Sequence, residues 1–130
     1  MRYDEFLARV RDLGEYGDRQ EAREVADAVL SVLATRLTPD EVEDLAEQVP
    51  GRLRDVLQEN RVDQPGTFGV EEFCRRVGER TGARPRTAEW DASAVLATLA
   101  ETVSGGELDQ VLDQLPSGYA DLFGKPEPSG

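Results

Sequence analysis

Histidine is absent from this chain of 130 residues, and cysteine occurs only once, as Cys74. A single cysteine can form neither an internal disulfide nor a thiolate metal cluster. With no histidine in the sequence, Cys74 also lacks the imidazole that usually activates a cysteine nucleophile. The position aligns with the apolar Leu7 in the other half of the chain, so we expect a buried structural thiol.

Positive charge is also scarce. The sequence has 15 basic and 27 acidic residues, which gives a net charge of −12. Nucleic-acid binding needs a clustered positive surface. The one basic concentration has Glu72 and Glu79 beside it, and it consists of Arg75, Arg76, Arg80, Arg84 and Arg86. We therefore predict no nucleic-acid partner.

Long apolar runs are missing as well. No stretch approaches the roughly 20 apolar residues of a membrane span. The first five residues already include Arg2, Asp4 and Glu5, whereas a secretory signal has an apolar core. We expect a cytoplasmic protein with no membrane partner.

What the sequence does contain is an internal repeat. Residues 22–57 align with residues 88–123 without a gap, at a constant offset of 66, and 11 of the 36 positions are identical. The identical pairs are Ala22/Ala88, Ala26/Ala92, Ala28/Ala94, Val29/Val95, Leu30/Leu96, Leu33/Leu99, Ala34/Ala100, Glu41/Glu107, Gln48/Gln114, Pro50/Pro116 and Asp55/Asp121. Most are typical of cores and helix ends, so the repeat predicts architecture rather than chemistry.

The apolar residues recur at helical spacing throughout, and no alternating strand pattern is present. We predict an all-α fold in which two four-helix repeats pack as one domain. Repeat one covers residues 1–58, a joint covers 59–68, repeat two covers 69–124, and a disordered tail covers 125–130.

Helix-start signals occur in both copies. Thr38 and Ser104 are natural N-caps, and Glu41 and Glu107 stand three residues later, which is the spacing of a capping box. Asp18 and Thr87 are predicted caps of the two long helices. Asp55 and Asp121 are interpreted as braces of the short fourth helices through backbone N–H groups.

Three segments of each half resemble a family of uncharacterised bacterial proteins, the domain of unknown function 2267. The segments in the first half are Tyr3-Asp4-Glu5-Phe6-Leu7, Ala28-Val29-Leu30-x-x-Leu33 and Asp44-Leu45-Ala46-Glu47-Gln48-Val49-Pro50. Those in the second half are Glu71-Glu72-Phe73-x-x-Arg76-Val77, Gly106-Glu107 and Gln114-Leu115-Pro116. The resemblance covers about residues 2–123. It implies a helical, duplicated fold and brings no catalytic residue.

Acidic residues supply the candidate partner surface. These are Asp40, Glu43, Asp44 and Glu47 in the third helix, with Asp109 and Asp113 at equivalent places in the second copy. The pattern is compatible with a docking surface for a basic partner, with a weak divalent-cation site, or with a solvated helix face. No EF-hand loop is present.

Two further features of the second copy bear on partners. Between Thr87 and Gly124 there are seven acids and no base, so arginines of the first copy could pack against this segment or a basic partner could bind it. Trp90 aligns with a charged residue, Glu24, so we interpret it as covering the joint between the copies or as an exposed anchor for a partner.

Together these observations favour a non-enzymatic, acidic helical protein-interaction module. The partner would be a protein, for example a basic one, or a second copy of the chain. The alternative is a small-ligand or divalent-metal-binding protein with a site between the repeats. No cofactor, resident metal or catalytic constellation is predicted, although carboxylates alone can perform acid–base chemistry.

Overall fold

The computed structural model describes residues 1–124, apart from the side chain of Pro85. Within that range the chain forms eight α-helices and no strand, so the predicted all-α fold is confirmed. The helices are α1 (Tyr3–Gly14), α2 (Arg19–Ala34), α3 (Pro39–Glu47), α4 (Gly51–Glu59), α5 (Val70–Thr81), α6 (Pro85–Thr102), α7 (Gly105–Asp113) and α8 (Tyr119–Leu122). The predicted tail, residues 125–130, lies outside the described residues.

The helices follow one another as two successive groups of four, as the repeat predicts. The long helices α2 and α6 occupy equivalent places and carry most of the identical apolar positions, because a helix packed on several sides needs small and branched apolar residues. The second group ends in a much shorter helix, since α8 has 4 residues where α4 has 9.

One core serves both groups. Helix α2 packs against α4, α5 and α6, and α6 also packs against α1. The buried apolar side chains of the two groups form one continuous cluster, in which Phe6, Leu33, Phe73 and Leu99 are almost fully buried. The repeats are therefore halves of a single packed unit among the described residues.

The joint between α4 and α5 is anchored by Arg36, which is 5% exposed. Its Nε donates to the carbonyl of Phe68 (2.9 Å) and its Nη1 donates to the carbonyl of Gly66. The guanidinium also lies 5.4 Å from the ring of Phe68 and 5.5 Å from the ring of Tyr119. A residue next to α3 thus fixes the joint to both repeats.

Helix starts are partly as predicted. Thr38 and Ser104 accept the N–H groups of Glu41 (3.3 Å) and Glu107 (3.1 Å), and Asp18 caps α2. The capping box itself is wrong, because neither glutamate side chain returns to its cap.

Two other predictions about helix ends are also wrong. Helix α6 begins at Pro85 with Arg84 as its N-cap, so Thr87 lies in the first turn rather than before it. Asp55 and Asp121 are exposed, and neither α4 nor α8 has a side-chain cap.

No helix in the described part of the chain is both long enough and apolar enough to cross a bilayer.

Candidate functional site

The predicted acidic surface is only partly free. Asp40, Asp44 and Glu47 are exposed on α3, and Asp109 and Asp113 are exposed on α7. Glu43 is different, because it is half-buried, forms an ion pair with Arg61 and accepts a hydrogen bond from Gln58 (3.1 Å). Helices α3 and α7 are in contact, so these exposed acids lie on neighbouring helices.

Beneath these acids lie two buried glutamates that the sequence interpretation assigned to capping. Glu41 is 6% exposed and Glu107 is 5% exposed. One carboxylate oxygen from each of Glu41, Asp44 and Glu107 lies within 4.8 Å of the other two. The signal that could have revealed them is their identity in both copies, at a helix position that usually faces solvent.

The electrostatics of this pair follow from its burial. Loss of hydration raises the pKa of Glu107 well above its ordinary value, and the facing Glu41 carboxyl raises it further. The nearby Asp44 and Glu47 act in the same direction. Such a group of oxygens can hold a shared proton or an oxygen-seeking cation.

Reciprocal hydrogen bonds join the start of α3 to the end of α7 and the start of α7 to the end of α3. The N–H of Thr38 donates to Oε1 of Gln114 (3.0 Å), and the N–H of Ser104 donates to Oε1 of Gln48 (2.7 Å). Each glutamine thus caps the helix of the other repeat. Gln48 and Gln114 are themselves an identical pair of the repeat.

A second candidate site is a groove of about 840 Å³, which is within the usual size range of ligand sites. Its walls come from the α1–α2 turn, α2, α4, the end of α5 and the first half of α6, so it lies between the repeats. None of the acids predicted on α3 and α7 lines this groove. The structure therefore places Trp90 and the other predicted residues at separate sites.

Trp90 stands at the groove with half of its surface exposed. Its indole N–H donates to the carbonyl of Gly14 (3.0 Å), so the side chain is held in place while part of its ring remains in solvent. The contact joins α6 to the end of α1 rather than covering the joint at residues 59–68. Trp90 is therefore between the copies, but at another place than the sequence suggested.

The neighbouring residue, Asp91, is buried and ties the same turn to α6. It accepts a hydrogen bond of 2.6 Å from the hydroxyl of Tyr16. Burial raises the pKa of Asp91, while the Tyr16 hydrogen bond partly opposes this effect. Trp90 and Asp91 together give the groove a fixed wall.

The groove is predominantly acidic. Six carboxylates line it, in Glu15, Glu21, Glu24, Asp27, Glu59 and Asp91, against two guanidinium groups, in Arg52 and Arg80. Arg52 is paired with Asp27 (3.0 Å), and Arg80 donates to the hydroxyl of Ser31 (2.8 Å). The remaining acids give the groove a negative field that attracts cations.

Arginines of the first repeat reach the acid-rich second repeat at one point in particular. Arg9 donates two hydrogen bonds of 3.0 Å to the carboxylate of Glu101. Asp109, Asp113 and Asp121 remain exposed. Packing of arginines against this segment thus occurs, but it leaves much of the acidic surface in solvent.

The lone thiol is where the sequence predicted it. Cys74 is 5% exposed within the core. Burial raises its pKa to about 11, so the reactive thiolate is scarce at neutral pH. This environment is that of a structural residue.

A family model described as an uncharacterised conserved protein (DUF2267) matches residues 3–122. None of the curated proteins matches the chain.

Proposed function

The chain belongs to the DUF2267 family of uncharacterised conserved proteins, and we propose that it is a non-enzymatic interaction module whose groove beside Trp90 binds a basic segment of a protein partner. The observation that carries this proposal is a half-exposed, fixed indole beside a concave, predominantly acidic surface.

Shape favours the groove over the exposed acids of α3 and α7. A cavity of about 840 Å³ can surround several side chains of a ligand, whereas separate acids on a helix surface only attract charge. Val25, Ala28 and Val56 contribute apolar surface to the same walls. Aliphatic stems of long basic side chains can pack on such surface while their charged ends reach carboxylates.

Charge and aromaticity together indicate arginine. A guanidinium can stack on an exposed indole face and form paired hydrogen bonds with a carboxylate. Glu24 on α2 and Glu59 on α4 are both exposed and both line the groove. A segment with arginines thus meets three complementary groups without any rearrangement of the core.

The test uses a fluorescently labelled peptide in which arginine alternates with serine, and a glutamate–serine peptide of equal length. Binding is measured by anisotropy at several salt concentrations, and the emission of Trp90, the only tryptophan, is followed in parallel. We expect saturable binding of the arginine peptide that weakens with salt, with a change in Trp90 emission.

Variants locate the interaction. Replacing Glu24 and Glu59 together by lysine should weaken binding roughly tenfold or more, because both substitutions reverse a charge at the proposed site. The matched control reverses Asp109 and Asp113, which are exposed but outside the groove, and should keep an affinity close to the parent. Absence of saturable binding, or equal losses in both double variants, would contradict the proposal.

A further inference from the structure

The buried Glu41 and Glu107 carboxyls lie outside the interaction groove and are not fully satisfied by hydrogen bonds. Oε2 of Glu41 and Oε2 of Glu107 are both buried, and neither has a hydrogen-bond partner among the described residues. An unpaired buried carboxylate oxygen is costly in free energy. The two oxygens occupy equivalent places of the repeat, and one positively charged group between them would satisfy both.

The surroundings hold these carboxylates in place. Both residues lie in the first turn of their helices, and the crossed Gln48 and Gln114 hydrogen bonds join the start of each helix to the end of the other. The backbone N–H of each glutamate is already used by its own cap, Thr38 or Ser104. The carboxylates therefore face each other across a fixed contact between repeats.

We propose that Glu41, Asp44 and Glu107 bind a divalent cation of the calcium type between the repeats. The three oxygens lie within 4.8 Å of one another. Calcium binds oxygen ligands at about 2.3–2.6 Å, so one ion can span this separation without movement of the helices. Magnesium requires near-ideal octahedral geometry at about 2.0–2.1 Å and loses its water ligands reluctantly, so we expect it to bind this partly buried site more weakly.

The solvent access of this site and its negative charge both favour binding of a cation. Asp44 is exposed, so it connects the buried pair to solvent and leaves room for water ligands. One divalent ion would pair both buried oxygens and balance both charges, whereas one shared proton would pair the oxygens but leave one negative charge on the pair. The equivalent of Asp44 in repeat two is Gln110, which places the charged entrance on the α3 side.

The site is independent of the proposed groove. None of Glu41, Asp44 and Glu107 lines the cavity beside Trp90. Peptide binding and cation binding can therefore succeed or fail separately.

Isothermal titration of the metal-free full chain with calcium chloride tests the inference, with magnesium chloride and ionic-strength-matched sodium chloride as comparisons. We expect one calcium ion per chain, weaker magnesium binding, and a melting temperature that rises with calcium concentration, because an ion that binds only the folded state stabilises it. A melting shift equal to that in sodium chloride would overturn the proposal.

Amide variants identify the ligands. Glu41→Gln and Glu107→Gln should each reduce calcium affinity at least tenfold, and Asp44→Asn should do so to a smaller degree. Asp40→Asn and Asp109→Asn, exposed neighbours on the same helices, are the matched controls and should bind as the parent does.

The glutamine variants also separate loss of calcium binding from loss of the fold. Removing a buried charge should leave them folded and at least as heat-stable as the metal-free parent, so loss of binding cannot be assigned to unfolding. If calcium does not bind the parent while Glu107→Gln alone raises the melting temperature, the pair shares a proton instead, and the cation site is wrong.

Discussion

Folding raises the pKa of some carboxyl groups in this molecule and lowers the pKa of others. Burial raises the pKa of Asp91 above its ordinary value of 3.8. In contrast, hydrogen bonds from Arg75 and Arg76 lower the pKa of Glu72 to about 2. These shifts make opposite contributions to stability as the pH changes.

A pair of amide substitutions should show the two signs. The ionised form of Asp91 costs stability above its ordinary pKa, so Asp91→Asn should gain stability relative to the parent as the pH rises from about 4 to 7. The charge of Glu72 stabilises the fold above the ordinary pKa of 4.5, and that contribution is lost as the pH falls toward about 2. Glu72→Gln should therefore lose stability relative to the parent at pH 7, with little difference at the lowest pH.

Urea unfolding of the three proteins across this pH range measures both effects. Because Glu72 is partly exposed, its effect should be small and reduced by salt. Parallel pH profiles for parent and Asp91→Asn would show that the Tyr16 contact compensates fully for burial.

Residue types predicted burial better than they predicted side-chain partners. Cys74 was predicted to be buried because a repeat aligns it with Leu7, and the structure confirms this. The three-residue spacing between Thr38 and Glu41 predicted a capping box. The same spacing is also compatible with a glutamate whose side chain points into the protein. Only tertiary packing of α3 on α7 shows that the Glu41 side chain faces Glu107.

The starts of α3 and α7 are stabilised by the other repeat. Gln48 and Gln114 each accept a backbone N–H at the N-cap of the opposite third helix. Apolar periodicity and local caps predicted that these helices exist. The sequence could not show which acceptor satisfies the N–H of Thr38, because Gln114 is distant in the chain and close only after folding.

The exchanged caps predict the cost of removing either glutamine. Gln48→Ala and Gln114→Ala should each reduce the free energy of unfolding by about 1 kcal/mol, which is typical for a lost capping hydrogen bond. The double variant should lose roughly the sum, since the two bonds satisfy different N–H groups. Chemical denaturation at constant pH provides the comparison.

Gln110→Ala is the control for this series. It is also a glutamine of α7, exposed to solvent, and its loss should change stability by less than about 0.5 kcal/mol. If all three single variants behave alike, solvent replaces the capping bonds and the exchanged caps contribute no net stability.

The molecule as a whole depends on contacts between its repeats. Helices α2 and α6 pack against each other, and α1 of the first repeat packs against α6 of the second. The repeat in the sequence predicted two equivalent units, but it could not predict how they face each other. That arrangement arises because each unit alone exposes apolar faces of its long helix.

Because the core is shared, neither repeat should fold alone. A fragment of residues 1–64 or 65–130 should have little helix and no cooperative unfolding by circular dichroism, because a unit of about 60 residues buries too little surface alone. Mixing the fragments should restore helix with 1:1 stoichiometry. Trp90, which bonds to Gly14 of the other fragment, should report this association through its fluorescence. The intact chain is the reference for native helix content. Cooperative unfolding of either isolated fragment would instead show that the repeats fold as independent domains, and that the contacts between them follow folding rather than support it.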